Sequence, residues 1–141
     1  MATTFVDTAH FVALLDPRDT LHAQAMALTK RLAKRSAELV TSDAVLVEVG
    51  NYFARGPLRS RAMEWIVAVR AAPGWRIEAV TRPLLLRGEA LYRAHADESW
   101  SVTDCVSMEL MRDQRIRDIA TTDHGFAQAG FRVLLSVPGR S

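Results

Sequence analysis

The chain has 141 residues, 49% of them hydrophobic, and a formal net charge of +2, values that suit one ordinary soluble domain able to bury about two-thirds of its unfolded surface. A single cysteine, Cys105, excludes an internal disulfide and a thiolate zinc cage, and no uncharged apolar run approaches the roughly 18 residues that a membrane span needs. The sequence pI is about 9.1 and nearly all the positive charge is arginine, but an arginine-rich solvated surface explains that as well as a phosphate-binding patch does.

Taken in chain order, the pattern alternates strand and helix over one domain, residues 1–141. The N-terminus has no basic leader, and its apolar stretch is cut at Asp7; the expectation is a cytoplasmic protein without a membrane segment. Thr3 to Val6 reads as a short buried strand closed by Asp7. Ala9 to Leu15 follows as a short apolar helix, and Asp16-Pro17 with Asp19 offers cap chemistry for a second helix to about Ala33. Glu38 to Thr41 is a second strand. Ser42 or Asp43 caps a helix through Glu48 that ends near Arg55-Gly56, and Pro57 opens another through about Ala71, stopped by Pro73-Gly74.

Trp75 to Val80 alternates as a third strand, and Thr81 with Pro83 starts a helix to about His95. A loop at Asp97-Glu98-Ser99 precedes a helix capped by Ser101 or Thr103 that carries Asp104. Strands near Ile119 and over Arg132 to Leu135 complete the chain. Strands separated by helices of this length require crossovers, so the expected fold class is α/β, a three-layer α/β/α arrangement with a mainly parallel central sheet.

Four acids stand out. Asp7 and Asp123 close apolar strands, at the sheet edge where open α/β proteins bind ligands. Glu48 shares helical spacing with Ala44, Val45 and Tyr52, and Asp104 with Met108 and Met111, so both point toward packed surface, where a charge needs a partner. Each also has a plain structural reading: Asp7, Asp104 and Asp123 suit helix caps, and only Glu48 has neither a cap nor a solvated face to explain it. Lysine is confined to Lys30 and Lys34, so arginine or a metal cation is left to neutralise them. Carboxylates converging without His or Cys favour a hard divalent ion, Mg²⁺ or Mn²⁺.

Three acid-using sites on doubly wound sheets compete for this pattern. A haloacid-dehalogenase-type phosphatase needs a second aspartate where Ala9 stands. A receiver domain needs paired acids on its first strand and a lysine near its last. A metal-dependent nuclease asks for nothing that is missing.

Phe5-Val6-Asp7-Thr8, Val47-Glu48-Val49-Gly50-Asn51, Trp100-Ser101-Val102-Thr103-Asp104-Cys105 and Thr121-Thr122-Asp123-His124-Gly125-Phe126 with Ala129-Gly130-Phe131 occur in the order and spacing of the PIN domain, and the chain resembles the VapC-type toxins within it. One departure is Gly125, where such proteins often carry His or another larger residue. The resemblance implies that Asp7, Glu48, Asp104 and Asp123 bind one or two Mg²⁺ or Mn²⁺ ions and hydrolyse RNA phosphodiester bonds, with Asp7 and Asp104 the first choices as direct ligands. It implies a small antitoxin partner and a homodimer. A PIN ribonuclease of RNA processing without an antitoxin, and a catalytically silent RNA- or protein-binding module, are the alternatives.

Around these residues the reading leaves several secondary candidates. Thr8 either orients a carboxylate or starts a helix, and Asp97 either reaches the rim or is solvated. Arg31, Lys34 and Arg35 share a helix face, and Arg55, Arg59 and Arg61 cluster at a helix junction; either set suits RNA or plain solvent. Val45, Val49, Phe53, Trp65, Ile66 and Val69 are core by default and a partner surface otherwise. His10, His22, His95 and His124 share no ligand spacing.

Overall fold

The computed structural model describes residues 2–137. Its strands are β1 (Thr3–Val6), β2 (Glu38–Ser42), β3 (Trp75–Glu78), β4 (Asp118–Ala120) and β5 (Arg132–Val133). Its helices are α1 (Thr8–Leu15), α2 (His22–Lys34), α3 (Asp43–Tyr52), α4 (Arg59–Ala71), α5 (Arg82–Ala94), α6 (Val102–Asp113) and α7 (His124–Gln128). The strands form one sheet in the order β3-β2-β1-β4-β5, and every pairing is parallel. Right-handed crossovers then place α1 to α4 on one face and α5 to α7 on the other, which makes the three layers.

Covered on both sides, the strands carry apolar runs without alternation: Phe5, Val6, Val40, Ile119 and Ala120 are all buried. On one face Phe11 of α1 packs edge-on against Trp65 of α4, ring centroids 4.8 Å apart, and lies 5.6 Å from Trp75 of β3. On the other, α6 buries Cys105, Val106, Met108, Leu110 and Met111. Each such large side chain contributes about 1.5–3 kcal/mol through burial. Gly88 of α5 exists to let α6 approach: a Cβ there would stand 2.5 Å from Val106 Cγ2 and 3.0 Å from its backbone.

Local signals explain most boundaries. Ser42 accepts from the Val45 amide to start α3, and Thr81 accepts from Leu84 to start α5 with Pro83 in its first turn. Three expectations need correction. Asp16 and Asp19 do not cap α2, and Asp16 is instead the C-cap of α1; each accepts from the amide two residues on, Arg18 and Leu21, so they shape the turn before α2. The Glu48 helix stops at Tyr52, short of Arg55-Gly56, and α4 begins at Arg59, two residues past Pro57. None of the helices among the described residues is long and apolar enough to cross a membrane.

Candidate active site

Strand order reverses beside β1: β2 and β3 extend to one side of it, β4 and β5 to the other. The carboxyl ends of β1 and β4 therefore flank a topological switch point, where an open α/β sheet leaves a crevice. Asp7 follows β1 directly, and its backbone N–H donates to Ala120 O at 3.2 Å, fixing the two strand ends together. It occupies the N-cap position of α1 but makes no side-chain cap bond. Its carboxylate is 5% exposed and accepts from Thr121 Oγ1 at 2.8 Å. The cap explanation thus fails for Asp7.

The other three acids arrive from three helices. Thr8, at the start of α1, donates to Glu48 Oε1 at 2.5 Å, which joins α3 to the end of β1. Glu48 is only half-buried, because its neighbour Tyr52 is 61% exposed; the expected packed stripe is the margin of the core. Asp104 completes a capping box with Ser101: Ser101 N–H donates to Asp104 Oδ2 at 2.9 Å and Asp104 N–H to Ser101 Oγ at 3.0 Å. Met108 and Met111 beneath it are fully buried, as its stripe implies. Asp123 is the N-cap of α7, its Oδ1 accepting from Gly125 N–H at 2.8 Å. For Asp104 and Asp123, capping and a place in the site coexist.

These acids act on one another. Asp7 is pushed up to about 7, first by burial and then by the Asp104 charge, against the opposing bonds from Thr121 and the Thr8 backbone; Glu48 adds to the rise. Asp104 is raised to about 6, again chiefly by burial, with the Asp123 and Glu48 charges opposing the bonds to Ser101. Among the described residues no ion pair includes any of the four.

Among the described residues no three acidic, histidine or cysteine side chains are drawn close enough to form a ready metal cage. Each carboxylate is instead hydrogen-bonded within the chain, to Thr121, Thr8, Ser101 or Gly125. An all-carboxylate donor set, mutually destabilised and without a basic partner, fits a hard divalent ion once side-chain rotation lets oxygens converge.

Gly125 has a structural cause. A Cβ on it would stand 2.7 Å from Trp100 Cδ1, 2.8 Å from Trp100 Nε1 and 3.0 Å from Asp123 Oδ1. The buried Trp100 indole lies across the start of α7 and only glycine leaves room, so the residue is coupled to the site after all. Sequence reading missed this pair, and it missed Thr121, whose signal was a hydroxyl at the buried end of a strand.

The remaining candidates separate. Asp97 is exposed in the loop before α6. His10 is buried and held by Thr29, and burial lowers it to about 4; His22 contacts Ala13 O, His95 stacks on Trp100, and His124 is exposed. Val45, Val49, Phe53, Ile66 and Val69 are buried, with Trp65 packed against them, so that set is core. Besides Tyr52, the exposed large apolar side chains on α3 and α4 are Val47, Met63 and Val67, and these three form a separate surface. They line a groove of about 550 Å³ floored by Leu46 and Ile66, with Arg59 and Arg70 at its rim.

Comparison with known proteins agrees with this geometry. The structure of Mycobacterium tuberculosis VapC20, a sarcin-ricin-loop-cleaving toxin, is similar with a TM-score of 0.79 and 29% identity, covering 91% of this chain and 95% of that one. VapBC2 from Rickettsia felis, bound to a DNA fragment from their promoter, shares the fold at TM-score 0.69 and 11% identity, over 95% of this chain and 98% of that one. FitAcB from Neisseria gonorrhoeae does so at 0.66 and 16%, over 94% and 96%. Among curated proteins none matches the sequence significantly. The family model described as the PIN domain matches residues 4–132, and the chain belongs to the PIN domain family.

Proposed function

We propose that this chain is a Mg²⁺- or Mn²⁺-dependent endoribonuclease, the toxin of a toxin-antitoxin pair acting in the cytoplasm. The observation that carries the reading is that Asp7, Glu48, Asp104 and Asp123, from four separate elements around the switch-point crevice, lie near enough for the charges of Asp104 and Glu48 to act on Asp7 and those of Asp123 and Glu48 on Asp104, with no basic side chain among the described residues paired to them. Membership of the PIN family and likeness to a toxin that cleaves RNA support it.

Asp7 and Asp104 are assigned as direct ligands, with Glu48 and Asp123 completing the set. With these residues holding it, a divalent ion would supply a water of lowered pKa and stabilisation of charge on the leaving oxygen of a phosphodiester. The chain's own groups do the rest. Thr121 and Thr8 hold Asp7 and Glu48 in orientation, as partners of metal ligands do. The capping box fixes Asp104 at the start of α6. A carboxylate left free of the ion accepts the proton of the attacking water.

For the antitoxin, the α3–α4 groove supplies a concave apolar surface rimmed by arginines, which suits an apolar helix carrying acidic residues. A homodimer is part of the same reading and is checked by solution mass.

The function is tested by incubating purified protein with labelled total RNA in Mg²⁺, in Mn²⁺ and in EDTA. Cleavage at discrete positions that EDTA abolishes is expected. Metal-independent cleavage, or RNA left intact alongside a protein that also binds no divalent ion, contradicts the proposal.

A further inference from the structure

We propose that Tyr52, Arg18 and Arg55 form a subsite for one nucleotide of single-stranded RNA beside the acidic centre, the Tyr52 ring stacking on a base and the two guanidiniums holding the adjoining phosphates. The subsite rests on the ribonuclease reading and adds to it the residues that position substrate.

Tyr52 lies four residues after Glu48, hence on the same side of α3, about 6 Å further along its axis. An isolated exposed tyrosine is unremarkable. This one is 61% exposed yet fixed: its ring meets buried Phe53 edge-on at 77°, centroids 4.9 Å apart. Most of its surface is left to solvent, and an accessible aromatic ring is what stacking on a base requires.

The surroundings supply the charge that an acidic site must borrow to hold a polyanion. Tyr52, Arg18 and Arg55 share the wall of a hollow of about 260 Å³ between the end of α1 and the α3–α4 loop. Arg55 has no ion pair or hydrogen bond among the described residues. Arg18, 84% exposed, makes only a 3.7 Å approach to Asp16, whose carboxylate is partly occupied by the Arg18 amide. The hollow is thus lined by two arginines and one acid. Elsewhere Arg70, Arg76, Arg87 and Arg132 are engaged by acids at close range, whereas the hollow sets Arg18 and Arg55, neither closely paired, beside an exposed aromatic ring.

The other flank of α3 belongs to the apolar groove, through Val47, Gly50 and Asn51. At 100° per residue this flank is well separated from Glu48 and Tyr52. The helix therefore offers one side to a protein and the other to RNA.

The test measures binding of a labelled pool of single-stranded RNA in Mg²⁺, by fluorescence anisotropy, in an Asp104→Asn background that does not cleave. Tyr52→Ala is expected to weaken binding about tenfold to a hundredfold and Tyr52→Phe, which keeps the ring, to restore it. Arg55→Gln is expected to reduce the slope of log K against log salt by about 0.7. Wild-type protein that cleaves RNA, with Tyr52→Ala binding as the parent does, overturns the subsite alone and leaves Tyr52 to a protein contact. Parent protein that binds no RNA also overturns it. Tyr52-dependent binding by a wild type that never cleaves supports the subsite and sinks the nuclease.

Discussion

Replacing Asp7 by Asn separates a group kept for function from one kept for stability. In the folded, metal-free protein Asp7 is raised from 3.8 to about 7, a difference of about 3 pH units or about 4 kcal/mol between its charged and neutral forms. Both folded and unfolded states bind the proton below pH 3.8, so no penalty exists there. As pH rises toward 7 the unfolded chain releases its proton first and the folded protein loses stability; above 7 the full penalty applies. Asparagine is isosteric and uncharged. Its oxygen still accepts from Thr121, and its amide faces the Asp104 and Glu48 charges that act on this position. Imperfect bonding of that amide removes part of the gain, which leaves about 2–4 kcal/mol.

The variant is therefore expected to be the more stable at pH 8 in EDTA, with a rise in Tm on the order of 10 °C. The advantage should fall by about 4 kcal/mol on going to pH 4, where only the cost of the imperfectly bonded amide is left. Calorimetric unfolding of both proteins from pH 4 to pH 8 measures it, and titration of Asp104 cancels to first order because both carry it. A variant less stable than wild type at pH 8, or a difference that ignores pH, refutes the argument that these acids destabilise one another.

Saturating Mg²⁺ or Mn²⁺ should stabilise wild type by about 2.7 kcal/mol at a hundred times the dissociation constant, read as a rise in Tm that Asp7→Asn largely loses; equal shifts in the two place the ion elsewhere. Gly125→Ala should cost about 1–3 kcal/mol, the range for overpacking, and shift the emission of the Trp100 indole it would strike; unchanged stability and fluorescence show that α7 yields freely. Gly88→Ala, with its Cβ directed at the Val106 backbone, should destabilise by a similar amount in urea unfolding while leaving divalent-ion binding intact, and a stabilised variant would show that α5 moves off α6 without cost.

The sheet was legible because its signals are local. Thr3 to Val6, Glu38 to Thr41 and Trp75 onward are short β-branched or aromatic runs between helix periods, and Ser42, Thr81 and Ser101 are caps whose hydroxyls do what the residue type suggests. Errors fell where tertiary packing decides, as at Tyr52, where α3 stops without a glycine or proline to mark it. The acids themselves were visible as charges in apolar settings. Their attachments were not: Thr121 lies 114 positions from Asp7, and the space beneath Gly125 is filled by Trp100, 25 residues back in a separate segment. Chain order carries no record of such neighbours. The apolar groove was not legible for a related reason: helical spacing shows that α3 and α4 have apolar residues on more than one side, and only packing tells Val45 and Ile66, inside, from Val47 and Val67, outside.

The most direct test of the account is the single-turnover cleavage rate of wild type beside Asp7→Asn, Glu48→Gln, Asp104→Asn and Asp123→Asn, on one RNA in saturating Mn²⁺. Each substitution keeps shape and hydrogen-bonding oxygen, so the caps at Ser101 and Gly125 survive. Since a divalent ion supplies several kcal/mol to the transition state, each variant should lose about a hundredfold or more while circular dichroism shows a folded protein. Wild-type cleavage by a folded Asp7→Asn or Asp104→Asn variant would contradict the claim that the four acids form one catalytic metal centre.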